Sequence, residues 1–500
     1  MNKAKFFFSF LLVASVTAQA AEITKVIVRQ QWPWSDGIKV EYVIKGVTSP
    51  VDIGVQVFKD GVEVPVPRGA AMGDVYGIEQ SGVGTITIDP VQVLGSGRVE
   101  SDDLEVKLSV SSSKGDPNEV LYKIFDLTSK PYVCTDVTRR ELLLGKYGSV
   151  VTDYREFGSG FKTDVDDLLI WTGVTNDIAY KTTKLVMRKI NAKGKVWQSG
   201  DEPSIEYQQV GAVPRHWIKL TYDYYIAVFE TTIAQWKRIY DGSLPTDVEG
   251  NKCATAGGEG SSDPEEYPTA CYPANRVQRW CVYGHPQSSF QDSYNCVVIP
   301  DKPIWGMTTY LRDVGKLTVC ENLWTDTGYE FNYPTGAEWE FACRGGNSGP
   351  IYSGEAQTKD NVGKIAWNTY NSGAMMHVVG MKAPNPYGLY DMLGNIMEQV
   401  QYDSTDANLI AGPHEGSGDT EDDPAIDPIC GSTGRTANNS NHFVVGAGYY
   451  NDSTYGSWKD QRPTCRCGWY AYHYQTSVYA GFRLVMPATA NGRWADHPAK

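Results

Sequence analysis

Between residues 21 and 128 the hydrophobic positions recur with a period of two. Ile38, Val40, Tyr42 and Ile44 alternate with polar neighbours, as do Val51, Ile53, Val55 and Val57, and Leu104, Val106, Leu108 and Val110 repeat the pattern. Such alternation turns one face of a strand towards a core and the other towards water. Asp60-Gly61 after the second run supplies a hairpin turn, since both residue types tolerate positive φ. No helical period interrupts these runs, and they predict a small β-sandwich over residues 21–128.

From Lys130 to about Thr182 the pattern is irregular and predicts a connector over 129–182 carrying some strands, with a short helix from Thr135 to Leu144 behind an N-cap threonine. Beyond Leu185 the period of two gives way to helical patches, Thr232 to Tyr240 and Gly336 to Cys343, set between long stretches rich in Gly, Asn, Ser and Pro. Loops of that length imply a site or a covalent staple. Thr335 stands three residues before Glu338, a capping box with Pro334 just outside it. Trp339, Ala342 and Cys343 then share one helix face. The whole predicts an α+β chain: a β-sandwich-like domain followed by a loop-rich domain.

The N-terminal residues change the compartment. Lys3 and Lys5 precede an apolar run from Phe6 to Val16, and Ala18-Gln19-Ala20 offers small residues for cleavage. That is a secretory signal peptide over residues 1–20, too short to span a bilayer. No later stretch approaches the roughly twenty apolar residues of a membrane span. The chain is therefore expected to be exported, to the periplasm or beyond, with no membrane span.

With a formal net charge of -14, nothing favours a nucleic-acid phosphate backbone or an anionic lipid surface as partner, and no nucleic acid is expected. In an exported chain an even count, 10 cysteines, favours disulfides over thiolate metal sites. No CxxC pair exists, so zinc ribbons and thioredoxin chemistry drop out. Cys253, Cys271, Cys281 and Cys296 fall in one loop-rich stretch, where local disulfides are expected. No G-x-S-x-G, H-E-x-x-H or phosphate-binding glycine loop is present. The acidic run Glu415 to Asp427 reads either as a solvated loop or as a cation site. The 31 tyrosines and 14 tryptophans suit either core packing or a carbohydrate-facing surface.

Four segments in order, FETTIAQW (229–236), YPTGAEWEFACRGG (333–346), NPYGLYDMLGNIMEQV (385–400) and YAGFRLV (479–485), resemble the formylglycine-generating enzymes, the sulfatase-modifying factor family. Upstream, VMRKINAKGKVWQSG (186–200) resembles that family's opening hairpin. The resemblance covers 183–487, leaves a tail at 488–500, and implies a C-type-lectin-like fold. It also implies a structural calcium ion held by Asp391, the carbonyls of Gly394 and Ile396, and Glu398. Hard oxygens at a glycine bend suit Ca²⁺, and an ordinary turn is the other reading. A disulfide from Cys343 to Cys465 is implied too, with Cys467 as the alternative partner. Cys320 matches a family cysteine whose usual partner is replaced by Leu484, which leaves it Cys467 or a free thiol.

The same comparison exposes what is missing. Family enzymes bind copper through two cysteines just after a strand that VVGAGYYND (444–452) matches. The ligand positions fall near Asp452 and Ser457, or near Tyr455 and Asp460, and no cysteine lies between Cys430 and Cys465. Cu(I) needs thiolates, so no copper is expected. The family's iron branch uses an His-x3-His-x-Glu run that none of the seven histidines forms, so no iron is expected; His442 with His473 is the one composite pair to consider. Gln399 replaces the family's tryptophan. The expectation is an exported, non-catalytic binding module for a protein or carbohydrate ligand. Tyr449, Tyr450, Trp458, Trp469 and Tyr470 either stack on that ligand or pack the core. The alternative is an oxidoreductase of the same family with Cys465 or Cys467 as redox or metal thiols.

Overall fold

In a computed structural model the alternating runs form strands β1 (Glu22–Gln30), β2 (Ile38–Lys45), β3 (Val51–Lys59), β4 (Val62–Val64), β5 (Ala71–Gly73), β6 (Gly82–Ile88) and β7 (Leu104–Ser112). The structure describes residues 20–30, 34–67, 69–99, 104–200, 215–240, 269–275, 297–304, 307–311, 319–403, 416–428, 442–449, 457–469 and 480–488. They divide into two units, Met1–Glu119 with Leu143–Lys146, and Val120–Leu142 with Tyr147–Lys500.

The first unit has two antiparallel sheets, ordered β1-β2-β6-β5 and β4-β3-β7. Ile38, Val40, Tyr42 and Ile44 of β2 and Ile86 and Ile88 of β6 meet Ile53 and Val57 of β3 and Val106 of β7 in one buried cluster. The predicted sandwich is therefore present. Asp60 and Gly61 both have positive φ, 52° and 76°, and close the β3–β4 hairpin. Contrary to the all-strand reading, a short helix, Pro90–Leu94, follows β6. Asp89 caps it by accepting from the Val91 and Gln92 N–H groups, and a left-handed Gly95 ends it.

The second unit begins earlier than the sequence pattern suggests. Val120–Asp126 pairs with both Lys184–Ile190 and Val133–Thr138. The resulting five-stranded sheet runs Val485–Pro487, Tyr224–Ala227, Lys184–Ile190, Val120–Asp126, Val133–Thr138. The sandwich thus ends near 119 rather than 128, and the connector carries three short strands, Val133–Thr138, Val150–Val151 and Ile170–Trp171. Alternation fails as a guide here because this sheet is covered on both faces. Tyr225 and Ala227 pack beside Trp236 on one side, while Tyr224 and Ile226 pack beside Trp339 on the other.

The helix expected from Thr135 starts later, at Arg139–Leu143. The cap is Thr138, which exchanges hydrogen bonds with Glu141 three residues on, whereas Thr135 is held in the strand by pairing with Ile124. The segment 186–200 is not a hairpin either: Val196–Ser199 pairs with His216–Lys219 instead of with Lys184–Ile190. The helices Ile233–Ile239 and Gly336–Arg344 form as expected, each behind a full capping box, Thr232/Gln235 and Thr335/Glu338. Trp236 and Trp339 are wholly buried. Met397–Asp403 pairs in parallel with Ala480–Gly481 and antiparallel with His442–Val445. Among the described residues no helix is long and apolar enough to cross a membrane.

Candidate functional site

Arg483 follows the short strand Ala480–Gly481, and Glu398 lies on the strand paired with it, so the sheet register brings the two side chains together. The Arg483 Nε lies 2.8 and 2.7 Å from the two Glu398 oxygens, and Nη2 donates to Oε1 at 2.5 Å. The Trp339 indole donates to Oε2 at 2.7 Å. The remaining guanidinium hydrogens reach the carbonyls of Ala227, at 3.0 Å, and Tyr390, at 2.9 Å. Arg483 is wholly buried and Glu398 nearly so. A charge pair survives such burial only when every lone pair and proton is taken up, as here.

A second buried carboxylate, Glu230, follows the strand Tyr224–Ala227. It accepts from the Asn395 side chain at 2.7 Å and from the Ile396 N–H at 3.1 Å. Asn395 itself is left-handed, at φ 54°, and its side-chain oxygen accepts from the His377 N–H. Asp391, also left-handed, accepts from the Gly380 N–H at 2.6 Å. His377 stacks on Trp367 with ring centroids 3.7 Å apart, and the Lys382 ammonium sits 3.8 Å from the same indole. Cation, indole and imidazole thus form a layered stack at the edge of the turn.

Three buried carboxylates share one fully buried guanidinium, and the electrostatics follow from that imbalance. Burial drives the Glu230 carboxyl well above the usual carboxylate range, with the charges of Asp391 and Glu398 adding to it. Burial likewise lifts Asp391 to about 6, against the pull of the Gly380 N–H and Arg483. Burial lowers Lys181 and Lys382, and Asp391 offsets part of that in both.

The comparisons with known proteins turn on the same stretch of chain. Residues 181–488 match the model of the sulfatase-modifying factor enzyme 1-like domain. The chain belongs to the sulfatase-modifying factor family. It is 30% identical over 121 residues to Chaperone protein LppX of Paenibacillus barcinonensis, 19% of this chain and 42% of that protein. It is also 30% identical over 101 residues to the inactive Cα-formylglycine-generating enzyme 2 of Mus musculus, 18% of this chain and 33% of that one. These matches span less than half the length of either relative. Among solved structures, Treponema denticola variable protein 1 aligns at 19% identity and a TM-score of 0.40 over 61% of this chain and 96% of its own. PvdO from Pseudomonas aeruginosa aligns at 17% and 0.40 over 60% and 94%.

Within this sulfatase-modifying factor domain the residues expected to hold calcium cluster around the Arg483 guanidinium. A carboxylate has about four lone-pair positions, and those of Glu398 are filled by Arg483 and Trp339. The Gly394 and Ile396 N–H groups donate to Gly446 and Glu230, which fixes the turn that carries their carbonyls, and one Asp391 oxygen accepts from the Gly380 N–H. The set is built around a guanidinium, and a dication placed beside Arg483 would meet like charge.

Cys343 and Cys465 are not bonded to each other. They occupy different parts of the core: Cys343 packs with Trp339 and Leu393, and its thiol points at the Met392 carbonyl, while Cys465 packs with Met397, Val444 and Ala480. Cys271 is a buried thiol and Cys320 is buried too; Cys253, Cys281, Cys296, Cys430 and the Cys467 side chain lie outside the described residues.

Of the aromatics, Tyr449 is buried in the core, its N–H donating to the Asn395 carbonyl and its own carbonyl accepting from Ser372. Trp458 packs against the core from a half-buried position, and its carbonyl accepts from Gln357. Tyr450, Tyr470 and the Trp469 side chain lie outside the described residues, as do His473 and the His442 side chain. In the acidic run, Asp423 accepts from the Ser417 N–H and Asp427 from Thr221, so both carboxylates are used in holding the loop. Sequence reasoning missed Glu230, His377, Trp367 and Lys382. The available signal was charge inside apolar runs: a lone Glu in VFET, and a lone Arg in GFRLV.

Proposed function

We propose that the chain is an exported, non-catalytic binding module built on a sulfatase-modifying factor domain, with a protein or carbohydrate ligand. The observation that carries this reading is the chemistry at the positions matched to the copper cysteines. Of these, Ser457 and Asp460 close a reverse turn on themselves: the Ser457 N–H donates to the Asp460 carboxylate at 3.0 Å and the Asp460 N–H to the Ser457 carbonyl at 2.9 Å. Oxygen ligands in place of thiolates give Cu(I) no soft donors. The thiols Cys134, Cys271 and Cys343 are all pushed up by burial, Cys134 to about 11, which makes them poor nucleophiles near neutrality. One relative carries the word inactive in its own name, consistent with a fold that outlives its catalysis.

The test is an anaerobic Cu(I) titration against a competing chelator, paired with incubation of a cysteine-containing sulfatase peptide under air. No stoichiometric copper and no cysteine-to-aldehyde conversion are expected. One tightly held copper per chain together with aldehyde formation would sink the reading and restore the oxidoreductase. Export is checked separately, by N-terminal sequencing of the protein recovered outside the cytoplasm, where a start near Ala21 is expected.

A further inference from the structure

The sandwich unit has an unfinished edge. β1 ends the four-stranded sheet, and among the described residues it pairs only with β2. Its side chains stay open along nearly the whole length: Val26, Ile27 and Val28 are 38%, 36% and 37% exposed. Val26 and Val28 lie opposite Tyr42 and Val40, both fully buried, so these valines lie on the core face and yet remain more than a third exposed. Natural edge strands are usually shortened, charged or covered to prevent pairing. β1 has nine residues and a run of three apolar ones.

We propose that β1 pairs antiparallel with β1 of a second copy of this chain, joining two four-stranded sheets into one. This goes beyond the binding role of the family domain and rests on residues outside it. The register follows from the strand itself. An antiparallel self-pair about a two-fold axis keeps each face on its own side, so core-facing residues must oppose core-facing ones. Thr24 is a bulged extra residue, because Ile23 pairs with Ile44 while Lys25 pairs with the adjacent Val43. With that bulge counted, a register centred on Val26 sets Val26 against Val26 and Val28 against Ile23 on the core face. On the outer face it sets Ile27 against Lys25 and Arg29 against Glu22.

Two Arg–Glu pairs and an apolar seam therefore come from one strand. Arg29 also meets Glu41 of β2 within its own chain, and its five donors serve both carboxylates. Moving the centre to Ile27 instead sets Lys25 against Arg29, like charge on like charge. Complementarity with itself, in a register that also respects the bulge and both faces, identifies the partner as a second copy rather than an unrelated peptide.

Sedimentation velocity of the full chain over a concentration series reads the association. A reversible dimer is expected. Val26→Lys and Val28→Lys should each weaken it about tenfold or more, with unchanged circular dichroism. Val83→Lys, on the outer face of β6 and 76% exposed, should leave it intact. Register is tested by mild oxidation. Val26→Cys should give a covalent dimer above the wild-type background, and Val28→Cys, which faces Ile23 of the other copy, should not. A chain that stays monomeric throughout, or a Val83→Lys variant as impaired as Val26→Lys, overturns the proposal. Equal cross-linking of the two cysteine variants overturns the register on which it rests.

Discussion

At the scale of single residues the domain is organised by buried charge. Arg483→Met would strand Glu398 without its counterion, and breaking a buried pair from one side costs about 3–5 kcal/mol. The expected outcome is a large fall in the denaturant midpoint, and a change below about 1 kcal/mol would contradict the structural role assigned to the pair. Asp391 behaves in the opposite sense. Its carboxyl holds a proton up to about pH 6 in the folded chain, but only to about 4 when unfolded. The folded state therefore loses stability as pH rises through that window, and the full penalty stands above it. Asp391→Asn keeps an acceptor for Gly380, and asparagine tolerates the left-handed backbone. It should melt higher than wild type at about pH 7.5, by up to roughly 2 kcal/mol, with the difference closing below about pH 4. An equal gain at both pH values in a thermal melt would rule out the buried charge as its cause. The family resemblance names Asp391 and Glu398 together, but the pairing with Arg483 was not legible. Glu398 and Arg483 are 85 positions apart, and only sheet register tells that they meet. The same register commits Glu398 to Arg483, a partner that the calcium set implied by the resemblance did not include.

At the scale of elements, legibility tracked how local the cause was. The helix Gly336–Arg344 could be read because its start signal is contained in four residues, Thr335 to Glu338. Both halves of that capping box form: the Glu338 N–H donates to the Thr335 hydroxyl at 3.1 Å, and the Thr335 N–H donates to Glu338 at 2.7 Å. Thr335→Ala should therefore cost about 1–2 kcal/mol, and chemical denaturation checks it, with Thr335→Ser expected to recover most of the loss. Strands of the sandwich were equally readable, since each shows one face to water. The five-stranded sheet was not. Val120–Asp126 is nearly all buried, Leu121 to Phe125 without interruption, so it shows no alternation to announce it, and its partner Lys184–Ile190 lies beyond three intervening strands and several short helices.

For the whole molecule the consequence is that the family match and the folding unit do not share a boundary. The match begins at residue 181, while the sheet it belongs to includes Val120–Asp126 and Val133–Thr138. Phe125, Leu127 and Tyr132 sit in the same cluster as Trp236 and Phe482. A fragment covering residues 120–488 is expected to unfold in one cooperative transition. A fragment covering 183–488 should lack one, because it exposes an inner strand along its length. Circular dichroism melts of the two fragments check this, and a cooperative melt of the shorter one would refute it. The same overhang bears on inheritance. A recombination event that joins this domain to a new neighbour keeps a complete sheet if the crossover falls near residue 119, and cuts the sheet apart if it falls at 181. Where related domains have been exchanged between genes, the two strands upstream of the recognisable family region should have travelled with it, however little their sequences advertise the connection.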